Sequence, residues 1–225
     1  MAATPAAKPA APQLPASGTE ADVDEHPLVD DAEWWQLTFT GADASDAEAE
    51  GFTVEATRLS RVDLSGGRWT KGAWRNCVFE DGNLANTHAS DCGLQRSSFA
   101  TMRMTGWQWN NGVVKDVTFT GCRMDLAGLR FSRLRHVVFD GCRLTGVDLT
   151  NAELTSVRFT NCDLTGARLH HATMDNVRLE GCVLEDVTGV EALRGATVAS
   201  GDLLPLTFSM AASLGITVEY SPTGN

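Results

Sequence analysis

The residues of this chain best suited to chemistry are its six cysteines, four of which recur at intervals of twenty residues. These four are Cys122, Cys142, Cys162 and Cys182. Four thiolates could bind zinc if their sulfurs surrounded the metal tetrahedrally at about 2.3 Å. Neighbouring pairs could form disulfides if their backbones approached closely enough. The element that carries the cysteines decides between these chemistries.

The histidines and the glycines suggest no catalytic motif. The five histidines stand at 26, 88, 136, 170 and 171. They have neither the spacing of a metal site nor a nucleophile at a fixed offset, and the last two fall in a predicted turn. The sequence contains no Gly-rich phosphate loop, no nucleophile elbow and no His-Glu helix motif. We therefore predict no catalytic residue, cofactor or metal, and a protein that is not an enzyme.

The elements themselves are indicated by a period of five residues. Every fifth residue from Trp34 to Leu184 is apolar, although only 43% of the chain is hydrophobic. Two positions before each stands a mostly small residue, and Gly, Asn or Asp often follows two positions after it. This period fits neither a helix nor a plain strand. It fits a short extended step followed by a turn, in which Gly and Asn tolerate positive φ.

A period of twenty lies above the period of five, because Phe159 follows Phe139 and Cys162 follows Cys142. Four steps therefore close one coil, and residues twenty apart lie above one another, about 4.8 Å apart. This predicts an all-β fold, a parallel β-solenoid of square section, over residues 32–187. It should have about seven to eight coils and a length of roughly 35 Å.

The predicted solenoid answers the question about the cysteines. A straight ladder of sulfurs about 4.8 Å apart cannot surround one zinc ion. Neighbouring pairs remain within reach of a disulfide, but cysteine also serves as a small buried hydrophobe, like the Ala and Val at equivalent positions. We expect buried, reduced thiols in a cytoplasmic protein.

The stretch GVDLTNAELTSVRFTNCDLTGARL, residues 146–169, resembles the pentapeptide-repeat family, and the resemblance extends over about residues 32–187. It implies a right-handed quadrilateral β-helix. It also implies a function, since some members bind type II DNA topoisomerase, mimic duplex DNA and protect gyrase from quinolones. Met102 and Trp107 occupy sites that favour small residues, which predicts a distorted coil near 102–112. Residues 41–51 keep only Ala at the apolar sites, which predicts a degenerate first coil.

The two ends of the chain depart from the repeat. Residues 1–31 are rich in Ala and Pro and then acidic, without an apolar period, and predict a disordered tail. Residues 188–225 predict a cap with a helix near 201–214, with Ser200 as its N-cap and Gly215 just after its end. The candidate cap or dimer contacts are Leu203, Leu206, Phe208, Met210 and Leu214.

The apolar residues of this C-terminal segment exceed what one short helix needs to cover the last coil. Two alternatives account for the excess. Two chains could meet end to end in a homodimer with a twofold contact, as the resemblance implies. Alternatively, residues 216–220 (ITVEY) fold back and finish the cap within one chain.

The net charge of −11 argues against direct nucleic-acid binding, and no run of about 18 apolar residues could span a membrane. Residues 52–187 hold 16 Lys and Arg against 15 Asp and Glu, so the predicted rod is nearly neutral. On one face Arg103, Arg123 and Arg143 should stack where a DNA mimic would place acids. They form a candidate partner-binding surface, or a solvated face paired with neighbours such as Asp125.

These observations favour a non-catalytic solenoid that binds an unidentified protein partner through its faces or its capped end. The alternative is a DNA-mimicking protein that binds gyrase and protects it from inhibitors.

Overall fold

The computed structural model describes residues 8–16 and 18–218, and residues 18–198 form a parallel β-solenoid. The strands are β1 Thr19–Glu20, β2 Glu33–Trp35, β3 Leu37–Thr40, β4 Glu48–Glu50, β5 Thr53–Glu55, β6 Arg58–Ser60, β7 Arg68–Thr70, β8 Ala73–Arg75, β9 Val78–Glu80, β10 His88–Ser90, β11 Gly93–Ala100, β12 Gln108–Asn110, β13 Val113–Thr120, β14 Arg133–Asp140, β15 Glu153–Thr155, β16 Arg158–Thr160, β17 Thr173–Asp175, β18 Arg178–Glu180 and β19 Thr197–Val198. Two 3₁₀ turns, Val190–Leu193 and Ser200–Asp202, precede the helix α1, Leu203–Ser213.

Each coil has four faces, which we number in chain order. In one central coil, face 1 is centred on Val114, face 2 on Phe119, face 3 on Met124 and face 4 on Leu129, and all four side chains are buried. Residues twenty apart share a face, because the strands pair in parallel with that offset, as Phe119 pairs with Phe139. The apolar residues of the predicted five-residue register therefore form the core of the rod.

The solenoid has about nine turns rather than the predicted seven to eight. On face 2, ten strands follow one another from β1 to β19. The additional rungs come from residues before 32 and after 187, where β1 pairs with β3 and β19 pairs with β18. The repeat pattern has faded at both places, but backbone pairing continues without it.

The prediction that residues 1–31 are a disordered tail is wrong for residues 18–31. Leu28 is buried, and Ala21 and Val23 pack against the core, so the acidic run carries its own apolar residues inward. Residues 8–16 lie along the corner between faces 1 and 2. Residues 1–7 and 17 fall outside the described part of the chain.

The coil near 102–112 is regular, so the predicted distortion is wrong. Met102 and Trp107 are both buried, and Arg103 keeps its bridges to residues 83 and 123. Gly82, one coil earlier, makes the room. A Cβ added there would lie 3.0 Å from Cε of Met102, and its N–H lies 3.1 Å from the Met102 sulfur.

The C-terminal helix begins at Leu203 and ends at Ser213, close to the predicted 201–214. Its N-cap position is Asp202 rather than Ser200, and Gly215 follows its end with φ of 70° as expected. Asp202 instead accepts a hydrogen bond from the Cys182 N–H at 2.9 Å, which covers part of the open backbone edge. None of the helices in the described residues is long and apolar enough to cross a membrane.

Candidate protein-binding surfaces

The cysteine ladder lies inside face 3, and all four thiols are buried and free. Each sulfur donates a hydrogen bond to a carbonyl of the preceding coil; the acceptors of Cys122, Cys142, Cys162 and Cys182 are Phe99 O at 3.6 Å, Phe119 O at 3.4 Å, Phe139 O at 3.4 Å and Phe159 O at 3.5 Å. These weak bonds satisfy the S–H donors inside the core.

Burial makes two of the core thiols poor nucleophiles. Burial raises the pKa of Cys182. It also raises the pKa of Cys77, elsewhere in the core, to about 12. At these two positions a thiol rather than a thiolate therefore prevails at neutral pH. The pKa of Cys122 is instead lowered by its hydrogen bond with Cys142. Among residues 8–16 and 18–218, no group of three or more His, Cys, Asp and Glu could hold a metal.

The outer surface of face 3 carries the predicted arginine column. Arg103, Arg123 and Arg143 are exposed and directly above one another, with bridges from each to the next. The Nε of Arg143 lies 2.6 Å from Oδ1 of Asp125. The column continues with Asn83 and then Asp63 on one side and with Asp163 on the other. Face 3 therefore presents mixed charge rather than an acidic stripe.

The acids of this column support the turns of the coil. Asp163 accepts hydrogen bonds from the Thr165 N–H at 3.0 Å and the Thr165 hydroxyl at 2.7 Å, and Asp63 accepts the same two bonds from Ser65 at 2.8 and 2.6 Å. Partial burial would raise the pKa of Asp163, but these bonds and the Arg143 charge outweigh it, and the pKa is lowered.

Sequence reasoning missed the role of these acids in the turns, although the repeat contains a pattern that indicates it. Asp or Asn is followed two residues later by Ser or Thr at 43, 63, 148 and 163, the pattern of an Asx turn. An arginine cannot accept these bonds. The three arginines therefore occupy positions at which local structure favours an acid.

The C-terminal helix has one buried contact and a wide exposed apolar surface. Leu206 is only 1% exposed and attaches α1 to the last coil. The other predicted residues, Leu203, Phe208, Met210 and Leu214, are 45% to 75% exposed, and Leu204 is 74% exposed. We call these five exposed residues the apolar helix surface. Leu206 belongs to the cap alone.

A groove of about 890 Å³ separates the apolar helix surface from the end of the rod. It is lined by His170, Val187, Glu191, Phe208 and Leu214, among others. Ile216 and Val218 remain exposed, so the described part of residues 216–220 does not complete the cap. Residues 219 and 220 lie outside the described residues.

The N-terminal coils differ from the rest of the rod in charge. Residues 18–71 hold thirteen Asp and Glu against four Lys and Arg, a net charge of −9. Residues 72–188 hold thirteen against twelve, a net charge of −1. Eleven of the thirteen N-terminal acids are exposed. Because residues 18–31 belong to the solenoid, this charge lies on the rod itself and not on a loose tail.

The fold and these surfaces define the class: a parallel β-solenoid with a side-chain-filled core and a capped C-terminal end. Residues 114–188 match a family model described as a pentapeptide repeat region. The resemblance to the pentapeptide-repeat family is thus confirmed, and the chain carries a pentapeptide-repeat region. No curated protein matches the sequence.

Solved structures of pentapeptide-repeat proteins are similar to the chain at low identity. Full-length QnrB1, a plasmid-mediated fluoroquinolone resistance protein, is 16% identical, with 89% of this chain and 96% of that chain covered and a TM-score of 0.38. HetL of Nostoc sp. strain PCC 7120, involved in heterocyst differentiation regulation, is 18% identical, with 78% and 91% covered and a TM-score of 0.30. Rfr23 of Cyanothece 51142 is 14% identical, with 70% and 91% covered and a TM-score of 0.22.

Proposed function

We propose that this protein is a non-catalytic solenoid that binds another protein through its capped C-terminal end. The observation that carries the proposal is the apolar helix surface. Five large apolar side chains on one eleven-residue helix and its C-cap are exposed while a single one, Leu206, is buried. Contiguous exposed apolar surface marks sites of protein contact, because its burial is favourable wherever a partner covers it.

The partner that this surface fits best is a second copy of the chain. The helix lies at the end of the rod, where two rods can meet without interference between their sides. A twofold contact brings the same residues of both copies together, so an apolar patch meets an apolar patch. The groove beside α1 offers each copy a place for the partner's exposed side chains. The product is a longer rod with two N-terminal ends facing outward.

Sedimentation of three proteins tests the dimer. The wild type should sediment as a dimer at micromolar concentration. Leu204→Asp places a charge on the apolar helix surface and should yield a monomer. Leu126→Asp is the matched control, since Leu126 is 63% exposed but lies on the side of the rod, and it should remain dimeric. Leu206→Asp is unsuitable, because it would disrupt the cap itself.

A wild type of monomer mass at every concentration would contradict the dimer, and so would a Leu204→Asp variant that stays dimeric.

The second candidate is binding to type II topoisomerase, which the family resemblance implies. The specific observation in its favour is the net charge of −9 on the N-terminal coils, since a surface of exposed carboxylates attracts proteins that bind DNA. The arginine column opposes it on face 3, so any mimicry would belong to the N-terminal coils. In a gyrase supercoiling assay with a quinolone, added protein should restore activity, and Glu48→Gln with Glu50→Gln should weaken the effect. No restoration by the wild type would remove this candidate.

A further inference from the structure

The N-terminal segment lies on the rod with a regular spacing of its own. Prolines stand at every third position, at Pro9, Pro12 and Pro15, and all three are half-buried. Ala10, Ala11 and Gln13 between them are exposed, while Leu14 is half-buried. A polyproline II helix has three residues per turn and a rise of 3.1 Å per residue. The spacing therefore directs one row of proline rings toward the rod.

The hydrogen bonds of this segment match the coils beneath it. The Ala10 N–H donates to Oδ1 of Asp116 at 3.4 Å, and the Gln13 N–H donates to Oδ1 of Asn76 at 3.3 Å. Asp116 and Asn76 stand in one column, two coils apart, or about 9.6 Å at the ladder spacing. Three residues of polyproline II advance about 9.3 Å. One turn of the segment thus spans two coils, and the bond repeats in register.

The acceptor Asn76 is shielded more than the asparagine at the uncovered end of its column. Asn76 is 4% exposed, whereas Asn176, in the same column with the same φ of 53°, is exposed. Between the two acceptors, Nε of Arg96 is shielded from solvent and has no hydrogen-bond partner within the described residues. The carbonyls of residues 8–16 do not accept from this donor, so the bonds to Asn76 and Asp116 carry the polar contact.

We propose that the corner between faces 1 and 2 is a binding site for extended segments with proline at every third residue, that residues 8–16 occupy it in cis, and that a Pro-x-x-Pro segment of a partner protein binds there when they leave. Such segments suit this role because they are already extended and lose little conformational entropy on binding. Specificity comes from the match between the polyproline repeat and two coils of the solenoid.

This inference adds a partner chemistry to the proposed protein-binding function and rests on it only in that the partner is a protein. The site is separate from the apolar helix surface, so Leu204→Asp should leave peptide binding unchanged. Sedimentation therefore tests the dimer, and peptide binding tests the site for residues 8–16.

The test uses the full chain and a fluorescent peptide of sequence KPAAPQLPA, residues 8–16. The receptor carries Pro9→Ala, Pro12→Ala and Pro15→Ala, which weaken the cis segment and free the site. The labelled peptide should bind this receptor saturably. Its apparent affinity for the wild type should be at least about tenfold lower, since the tethered segment competes.

Two substitutions locate the binding. In the freed receptor, Asn76→Gly and Asp116→Gly remove both acceptors while glycine keeps the positive φ of each position. Together they should weaken the peptide by about tenfold, the equivalent of about 1.4 kcal/mol. Asn176→Gly is the matched control and should change nothing. A peptide with alanine in place of its three prolines tests the same point without touching the fold, and it should not bind.

Absence of saturable binding to the freed receptor would overturn the proposal and leave residues 8–16 as a structural strap. Binding that survives Asn76→Gly with Asp116→Gly, or that the alanine peptide reproduces, would overturn it equally.

Discussion

The N-terminal coils and the central coils of this solenoid fill the same square core in different ways. In the central coils, face 2 repeats one side chain, and the rings of Phe79, Phe99, Phe119, Phe139 and Phe159 stack with centroids 4.3 to 5.0 Å apart. In the N-terminal coils, Trp34 and Phe52 each meet Trp74 edge to face, with centroids 6.3 and 5.5 Å apart. The repeated Phe rings of face 2 therefore stack in parallel, whereas the non-repeating rings around Trp74 interlock at steep angles.

The interlocked region depends on paired differences in size. Gly72 lies one coil after Phe52 in the same column, and a Cβ at Gly72 would clash with the Phe52 ring. The repeat grammar describes each column by its typical residue and does not show such pairs. The side chains of a solenoid can therefore depart from the consensus while the register is kept, provided that a residue of the neighbouring coil compensates for the change in side-chain volume.

The two regions also differ outside. The N-terminal coils carry a net charge of −9 and the coils of residues 72–188 carry −1. The apolar helix surface lies at the opposite end of the rod. Two ends of different chemistry on a neutral shaft fit a protein that makes separate contacts at each end.

The largest effect that we expect tests the register of the central coils. Val114 is fully buried and its neighbour Val113 is 42% exposed. Val114→Asp places a carboxylate without a partner in the packed core and should cost about 4 kcal/mol of unfolding free energy. Val113→Asp, the matched control, should cost within about 0.5 kcal/mol. Urea unfolding measures both, and equal losses would mean that the register is wrong.

A smaller effect should distinguish the interlocked region. Gly72→Ala forces the Phe52 ring to move and should cost about 1 to 3 kcal/mol, the usual range for overpacking. Gly93→Ala is the control, because an added Cβ there meets no atom within 4 Å, and its stability should be unchanged or slightly raised. If the two variants unfold at the same urea concentration, the interlocking account fails.

The smallest effect concerns the turns on face 3. Since the folded-state pKa of Asp163 is lowered from its ordinary value of 3.8, its ionised form stabilises the fold above that value, and this stabilisation is lost as the pH falls through the folded pKa. Thr165→Val removes the hydroxyl bond and should cost less than about 1 kcal/mol at pH 7, because the site is partly exposed. The cost should shrink toward zero as the pH falls through the lowered folded-state pKa of Asp163.

Thr150→Val is the control for this measurement. Thr150 donates its backbone N–H, rather than its hydroxyl, to Asp148, so the substitution should leave the pH dependence of the urea midpoint unchanged. A pH-independent cost for Thr165→Val would show that the hydroxyl acts through packing instead.

The sequence predicted what depends on repetition and missed what depends on exceptions. The period of five identified the buried column through Val114, and the period of twenty stacked the cysteines and the three arginines. It gave no sign of the Gly72–Phe52 pair or of Gly82 beneath Met102, because such compensation joins residues of different coils. Residues 18–31 were misjudged for a related reason. Their few apolar residues, such as Leu28, are too sparse to display a period, yet they suffice once a finished coil lies beside them as a template.

For the candidate surfaces, composition predicted the residues of the C-terminal helix but not which of them are buried and which are exposed. Leu206 and Leu203 are the same residue type at helical spacing, and only the contact with the last coil buries one and leaves the other exposed. The site for residues 8–16 was not predicted either, since Pro-rich composition alone suggested disorder.

The central claim is that the acidic N-terminal segment is built into the solenoid, and hydrogen–deuterium exchange of residues 18–31 tests it most directly. The N–H groups of Thr19, Ala21 and Asp31 donate to the carbonyls of Gln36, Thr38 and Glu50 at 2.8 to 2.9 Å. These three amides should be protected together with strand β3. Exchange of all amides in residues 18–31 at the rate of an unfolded peptide would contradict the account and return the acidic charge to a free tail.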